Sequence, residues 1–224
     1  TTGDAAEGSG FFVDEDGHAL LVRPHDEISV PDDKRKITPS LEYPLGSSAI
    51  KVSDANRPIA QLAAQSSSEE TTIVVGSLDG HLLLTHIAVE ESLLGDELEL
   101  EIEQTELPSL DYELDRLLLD VRQRELYAIS KSGHLSYFDV HRKSEPQLLD
   151  IVDLLGSGES VTAASFLSGG ISLLIGDSTG GIAQWFPVRD EDNQVTLQAV
   201  RRFDSFNAEV SAIVPEHFRK GFIA

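Results

Sequence analysis

The sequence LLIGDSTGGIAQWFPV, residues 173–188, joins two apolar runs through a polar, glycine-rich turn. The turn contains Gly180, and glycine is the residue that best tolerates the positive φ of a tight connection between two strands. The pattern therefore predicts an antiparallel β-hairpin. The only tryptophan of the chain, Trp185, lies in the second strand of this hairpin.

Three other segments share this layout, and they read FFVDEDGHALLV, IVVGSLDGHLLLTHI and YAISKSGHLSYFDV. The aligned turn glycines are Gly17, Gly80, Gly133 and Gly180, at successive spacings of 63, 53 and 47 residues. Any β-rich protein contains some glycine hairpins, which is the simpler alternative. Four hairpins with matching flanks favour a repeated unit.

The flanks extend each repeat to four strands. In the fourth copy, the alternating segments SVTAASFL (160–167) and VTLQAVRRF (195–203) lie on either side of the hairpin. Strands as apolar as those of the hairpins are expected to be covered on both faces by neighbouring sheets. Four short strands that recur at intervals of roughly 40–50 residues are typical of propeller blades. The sequence thus predicts an all-β fold, a β-propeller with four-stranded antiparallel blades.

The copies divide the chain into one propeller fragment, 1–224. It contains a partial blade at 1–50, blades at about 57–107, 114–155 and 160–203, and a partial blade at 208–224, whose first strand is expected over VSAIVPE (210–216). We expect an incomplete ring, completed by further sequence, by the chain's own ends or by a second copy. Open blade edges would then permit self-association, because unpaired strand edges invite pairing.

Composition excludes several classes of function. The chain carries 39 acidic and 17 basic residues, for a net charge of −22. A field of this sign repels phosphodiester backbones and anionic lipid headgroups, so we expect no nucleic-acid partner. The absence of cysteine removes disulfides, thiolate metal sites and cysteine nucleophiles. No apolar run reaches 18 residues, so the sequence itself predicts a soluble segment.

One family resemblance is carried by GDSTGGIAQWFPVRDEDNQVTLQAVRRF (176–203) and EVSAIVPEHFRKGFIA (209–224). These segments resemble the extra periplasmic region of proteobacterial ABC-type phosphate transport permeases, which carry a WD-repeat-like propeller after the first transmembrane helix. The resemblance is clearest over 160–224 and looser over 70–140. It implies a WD-repeat-like fold and a periplasmic domain of an inner-membrane protein, tethered to membrane helices outside this segment.

Six histidines recur at related positions, and histidine is the commonest metal ligand. Three directly follow a turn glycine and three lie a few residues further on: His18, His81 and His134, then His25, His86 and His141. Equivalent positions in successive blades are spread around a ring, whereas zinc needs donors within about 2.0–2.3 Å of one point. We therefore expect polar strand-start side chains and no metal site.

Acidic residues form four clusters, Asp14–Asp16, Glu69–Glu70, Glu97–Glu103 and Asp190–Asp192. None has the length and the distal glutamate of a calcium loop, which predicts solvated turns and strand faces. Alternation places Glu97, Glu99, Glu101 and Glu103 on one side of a strand. Such a face deters edge pairing, and it could equally contact a basic partner.

The sequence contains no phosphate-cradling loop, and its one G-x-S-x-G match, GDSTG (176–180), lies in the predicted hairpin turn and not in a strand–turn–helix elbow. Trp185 and Phe186 lie mid-strand, where we expect a role in the core between blades and not ligand stacking. The modest basic features are Arg189, Arg201 and Arg202, with Arg219–Lys220 near the end. They give only a weak case for anion binding against the acidic field. We assign no catalytic, cofactor-binding or metal residue and expect no cofactor.

From these observations we expect an accessory, non-catalytic periplasmic module that acts in protein interaction or regulation during phosphate uptake. Its expected partners are the other transporter subunits or the periplasmic phosphate-binding protein. The alternative is a ligand-binding or enzymatic propeller with its site in the central channel, since propeller mouths gather loops suited to sites.

Overall fold

The computed structural model describes residues 10–14, 17–29, 34–43, 45–53, 57–67, 69–91, 98–167, 170–203, 205–216 and 221–224. Within these ranges the chain forms eighteen strands and no helix. The strands assemble into successive antiparallel sheets along the chain, which we call blade 1 (β1–β4), blade 2 (β5–β8), blade 3 (β9–β12), blade 4 (β13–β16) and the terminal sheet (β17–β18).

Blades 2, 3 and 4 are four-stranded sheets whose strands pair in sequence order. Blade 2 consists of β5 (Ile59–Ser66), β6 (Glu70–Ser77), β7 (Leu82–Glu91) and β8 (Leu98–Glu106). Blade 3 consists of β9 (Arg116–Leu119), β10 (Glu125–Ile129), β11 (His134–Asp139) and β12 (Gln147–Asp153). Blade 4 consists of β13 (Val161–Phe166), β14 (Leu173–Asp177), β15 (Ile182–Arg189) and β16 (Val195–Phe203). The predicted all-β fold of four-stranded antiparallel blades is confirmed, and the stack is an incomplete propeller.

The hairpin at 173–188 forms as predicted. β14 pairs with β15 in antiparallel register, with Leu173 opposite Trp185. Gly180 adopts a φ of +93° in the turn. The Asp177 carboxylate accepts hydrogen bonds from the backbone N–H groups of Thr179 and Gly181 at 2.8 and 2.9 Å, which fixes the turn.

Blade 1 is built around one long strand. It contains β1 (Gly10–Val13), β2 (His18–Ser29), β3 (Lys36–Glu42) and β4 (Ile50–Lys51), and β2 pairs with each of the other three. The β1–β2 turn is the hairpin of Gly17, so β1 corresponds to the second strand of the complete blades.

The terminal sheet is smaller than the sequence predicts. A strand was expected over 210–216, but β17 covers only Val214–Pro215, and it pairs with β18, Phe222–Ile223. The preceding backbone leaves strand geometry because Val210 donates its N–H to the Asp177 carbonyl at 3.1 Å and buries its side chain against blade 4. The expected strand is therefore wrong over 210–213.

Alternating side chains join the blades into one stack. In β10, Leu126 and Ala128 pack into the cluster shared with blade 2, whereas Tyr127 and Ile129 pack into the cluster shared with blade 4. Successive residues of a strand point to opposite faces, so a strand between two blades is apolar on both. The predicted covering of the central strands on both faces is thus confirmed for β10.

Polar contacts also connect neighbouring blades. The Arg116 guanidinium in β9 donates to the Thr162 carbonyl in β13 at 2.9 Å. On the outer strands, the Asp150 carboxylate of β12 accepts from the Leu197 N–H of β16 at 2.8 Å. The inner and outer strands of blades 3 and 4 are therefore held in register by one hydrogen bond each, in addition to apolar packing.

The turn at Gly180 gives a direct test of this packing. A Cβ atom built there would lie 2.3 Å from the Phe206 carbonyl oxygen, whereas one at Gly158 (φ +86°) meets nothing within 4 Å. Gly180→Ala adds a backbone clash to the cost of a left-handed conformation, which alone is about 1–2 kcal/mol. We expect Gly180→Ala to lower the urea midpoint of unfolding clearly more than Gly158→Ala. Equal midpoints would contradict the close contact between turn and loop.

Candidate functional site

The three histidines that follow turn glycines each pair with a carboxylate of their own blade. The nitrogen–oxygen distances are 3.4 Å for His18 to Asp14, 3.3 Å for His81 to Glu106 and 2.5 Å for His134 to Asp153. The structure therefore distributes these histidines over blades 1, 2 and 3. Across the part of the chain that the structure describes, no three histidine, aspartate or glutamate side chains converge as a metal site.

The other three histidines are also held locally. His25 Nδ1 lies 3.1 Å from Glu42 Oε1, and the His141 N–H donates to Asp139 at 2.8 Å. His86 Nε2 lies 3.7 Å from Glu70 Oε2. Burial lowers the pKa of His86, against the opposing influence of the Glu70 carboxylate.

A small cavity lies where blade 1 meets blade 2. Its volume is about 110 Å³, and its polar lining comes from Ser53, Arg57, Ser77, His81 and Glu106. The Ser77 hydroxyl donates to the Asp79 carboxylate, and His81 Nε2 faces Glu106. Serine and histidine thus do not form a nucleophile–base pair here. The cavity offers instead a guanidinium, a carboxylate and hydroxyls above apolar side chains, which can bind a small polar molecule.

A half-buried carboxyl group in blade 3, that of Glu125, escaped the sequence analysis. The Tyr127 hydroxyl donates to Glu125 Oε2 at 2.9 Å, and the rings of Tyr127 and Tyr137 stack with centroids 4.8 Å apart. Burial raises the pKa of Glu125 above its ordinary value, and it raises the pKa of both tyrosines. The feature that could have revealed this cluster is the pairing of Tyr127 with Tyr137 across β10 and β11. That pairing is visible only when the register of the two strands is known.

A second polar cluster connects blades 2 and 3. The Gln123 side chain donates to the Glu70 carbonyl at 3.3 Å, and the Lys143 ammonium donates to the Gln123 carbonyl. Gln123 is buried and has a φ of 58°, an uncommon conformation for a side chain of this size. Burial lowers the pKa of Lys143, while the nearby carboxylates of Glu70 and Asp120 oppose the shift. The Gln123 side chain thus links blade 3 to the backbone of blade 2 at Glu70.

The acidic clusters serve as turn caps and exposed faces where the structure describes them. The Asp190 carboxylate accepts from the N–H groups of Asp192 and Gln194 at 3.0 and 2.8 Å. It therefore caps its own turn. Glu101 and Glu103 are exposed on β8. Glu15, Asp16 and Glu97 lie outside the described residues, and so does the side chain of Glu99.

The arginines of blade 4 do not converge. Arg189 Nη1 lies 3.3 Å from both oxygens of Asn193 in the neighbouring turn. The Arg201 guanidinium lies over the Phe203 ring, 4.8 Å from its centroid. Arg201 and Arg202 are adjacent in β16 and so point to opposite faces of the sheet. Arg219 and Lys220 lie outside the described residues.

The predictions for the two adjacent aromatic residues have different outcomes. Trp185 is buried in the cluster between blades 3 and 4, so its predicted core role is confirmed. The same prediction is wrong for Phe186, which is exposed. Adjacent strand residues face opposite sides, and at this point of β15 only one side is covered.

Comparisons with known proteins give little beyond the fold. No protein-family model matches the chain, and no curated protein matches it in sequence. The Cps50 (Swd1) beta-propeller domain of Myceliophteria thermophila is similar at 14% identity and a TM-score of 0.49, over 87% of this chain and 54% of that one. Sqt1 from Chaetomium thermophilum is similar at 13% identity and 0.47, over 82% and 45%.

The chain spans about half the length of these solved structures. Similarities at this level do not support an argument about the fold, which is established by the sheets and contacts described above. The successive four-stranded antiparallel sheets make the described part of the chain an incomplete β-propeller. Within the described ranges, no helix has the length and hydropathy needed to cross a bilayer.

The half-buried Glu125 carboxyl group predicts a pH effect. The pKa of Glu125 is higher in the folded chain than in the unfolded chain. The protonated carboxyl group therefore adds to the free energy of unfolding at low pH, and this contribution is lost as the pH rises through the pKa of the folded state. Glu125→Gln removes the titrating group, so the variant does not lose stability in this way as the pH rises. We expect its unfolding midpoint, relative to wild type, to be higher at about pH 8 than at about pH 4. Glu113→Gln, on an exposed side chain, should show no such trend, and a pH-independent Glu125→Gln difference would refute the assignment.

Proposed function

We propose that this chain is a non-catalytic protein-interaction module. The proposal is supported by the contacts made by the side chains that could take part in catalysis. The histidines pair with carboxylates within separate blades, and the half-buried Glu125 and Lys143 bind neighbouring protein groups. Catalysis needs such groups gathered around one reacting atom. Here they stabilise turns and interfaces, which leaves the exposed surface for recognition.

We further propose that the module serves phosphate uptake, as an accessory periplasmic domain of an ABC-type phosphate transport permease. The support is the resemblance of 176–203 and 209–224 to the propeller region of such permeases. Its partners are then the phosphate-binding protein or other transporter subunits. Its tether to the inner membrane lies outside this segment.

The charge of the chain indicates how a partner is recognised. The net charge of −22 attracts a basic surface and steers its approach. The outer strand β8 presents Glu101 and Glu103, both exposed, on the same side of the strand. We take this acidic strand as the contact for a basic patch on the partner.

Binding of the purified cognate phosphate-binding protein and transporter subunits, measured by biolayer interferometry, tests the proposal. The double variant Glu101→Lys/Glu103→Lys should weaken binding roughly tenfold or more, since two opposed charge pairs are replaced by like charges. Glu191→Lys/Asp192→Lys makes the same change in net charge in an exposed turn and should keep most of the affinity.

Two results would contradict this account. If wild-type chain binds no transporter component, the proposed role in phosphate uptake is wrong. If both double variants lose affinity equally, the partner responds only to the net charge of the chain, and β8 is not the contact surface.

The cavity between blades 1 and 2 supports a second candidate, a ligand-binding propeller. The site then lies between blades and not in the central channel, with Arg57 as its cation. Calorimetry with inorganic phosphate and with small amino acids should give heat that Arg57→Gln removes. Flat titrations with both probes would exclude this candidate.

A further inference from the structure

A row of polar side chains crosses blade 2 on the face toward blade 3. On this face, Val74 of β6 and Leu84 of β7 pack into the apolar cluster shared with blade 3. Two residues nearer the β5–β6 turn, Thr72 lies directly opposite His86 in β7 and opposite Gln65 in β5. Since residues two apart in a strand share a face, these three side chains point toward blade 3 side by side. We call Gln65, Thr72 and His86 the polar row.

Blade 3 is bonded to the polar row where β9 ends and the β9–β10 turn begins. Gln65 Nε2 donates to the Leu119 carbonyl at 3.3 Å, and the Gln123 side chain donates in the other direction, to the Glu70 carbonyl, at 3.3 Å. Glu70 lies next to the row on the same face of β6, and its Oε2 is 3.7 Å from His86 Nε2. The side-chain amide of Gln123 is therefore held beside the polar row.

Three side-chain atoms at this place are buried and have no hydrogen-bond partner among the described residues: Thr72 Oγ1, His86 Nδ1 and Gln123 Oε1. Thr72 and Gln123 are 0% and 2% exposed, so bulk solvent does not reach them. Buried polar groups in folded proteins are nearly always paired, with protein groups or with ordered water. The grouping of three such atoms between two blades therefore indicates a binding site.

The three atoms cannot all be satisfied by one another. The Gln123 amide nitrogen is bonded to Glu70, so its Oε1 can only accept. His86 Nε2 faces the Glu70 carboxylate, which places the hydrogen of the neutral ring on Nε2 and leaves Nδ1 as an acceptor. Burial lowers the pKa of His86 and so favours this neutral ring. The Thr72 hydroxyl has a single hydrogen and can serve only one of the two acceptors.

We propose that a buried water molecule binds between blades 2 and 3 at these three atoms. The Thr72 hydroxyl donates to the water, and the water donates to His86 Nδ1 and to Gln123 Oε1. All three atoms are then satisfied, and the water has three hydrogen bonds, which is typical of internal water. The inference concerns how the blades are joined, and it does not rest on the proposed function.

The charges around the site favour a neutral occupant over an ion. The Lys143 ammonium, which donates to the Gln123 carbonyl, repels a cation, and the Glu70 carboxylate repels an anion. Two of the three partner atoms are acceptors, which is also unfavourable for an anion. Water combines the two donor hydrogens and the acceptor oxygen that the site requires.

A high-resolution crystal structure of the chain tests the occupant directly. We expect one ordered water at hydrogen-bond distance, about 2.7–3.2 Å, from Thr72 Oγ1, His86 Nδ1 and Gln123 Oε1. A structure in which these atoms bond protein groups directly, with no water between them, would overturn the proposal.

A double-mutant cycle measures the bridge in solution. Thr72→Val keeps the shape of the side chain and removes its hydroxyl, and it should lower the ratio of folded to unfolded chain roughly fivefold. Gln123→Met removes the amide and should cost more, because the bond to Glu70 is lost as well. Either change breaks the same bridge, so the double variant should be less destabilised than the two single effects predict. Urea unfolding gives the free energies.

Thr71→Val is the matched control. Thr71 is next to Thr72 but points toward blade 1, and its hydroxyl is bonded to Ser66 Oγ at 2.8 Å. This change also removes one hydrogen bond of a buried threonine. Its effect should add to that of Gln123→Met without coupling, because the two side chains share no partner.

Two outcomes of the cycle count against the water. Additive effects of Thr72→Val and Gln123→Met would show that nothing connects the two side chains. A stabilising effect of Thr72→Val would show that its hydroxyl has no partner, since removal of an unpaired buried group relieves a cost. The sign of the Thr72→Val effect remains decisive if Gln123→Met fails to fold.

Discussion

The fold depends on one constraint, which is that the central strands are apolar on both faces and must be covered twice. In β10, Leu126 and Tyr127 are both fully buried although they point in opposite directions. A single sheet cannot bury both sets, so each blade requires a neighbour on either side. Glycine turns, interblade hydrogen bonds and the buried tyrosine pair all follow from bringing these sheets into contact.

The same constraint shapes what the surface can do. Equivalent residues in successive blades lie at different positions around the stack. His18, His81 and His134 therefore each pair with a separate carboxylate and form no common site. In the proposed interaction module, recognition falls to the outer strands, of which β8 presents the exposed carboxylates of Glu101 and Glu103.

Much of the fold could be predicted from the sequence because it depends on local patterns. The glycine hairpins, the four-strand repeat and the core position of Trp185 follow from alternation and turn chemistry. The misses depend on distant contacts. Phe186 is exposed because one side of β15 is uncovered, and the irregular backbone at 210–213 follows the Asp177 carbonyl. The Glu125 cluster and the cavity beside Arg57 need a register between strands, which no single segment contains.

Native-state hydrogen exchange tests the central claim most directly, because it reports how strongly each strand is protected. The account predicts that amides of the doubly covered strands β6, β10 and β14 exchange slowest, and that β3 and the terminal sheet exchange fastest. Protection that is greatest in the outer strands β8, β12 and β16, or that is uniform across each blade, would contradict mutual covering by the blades.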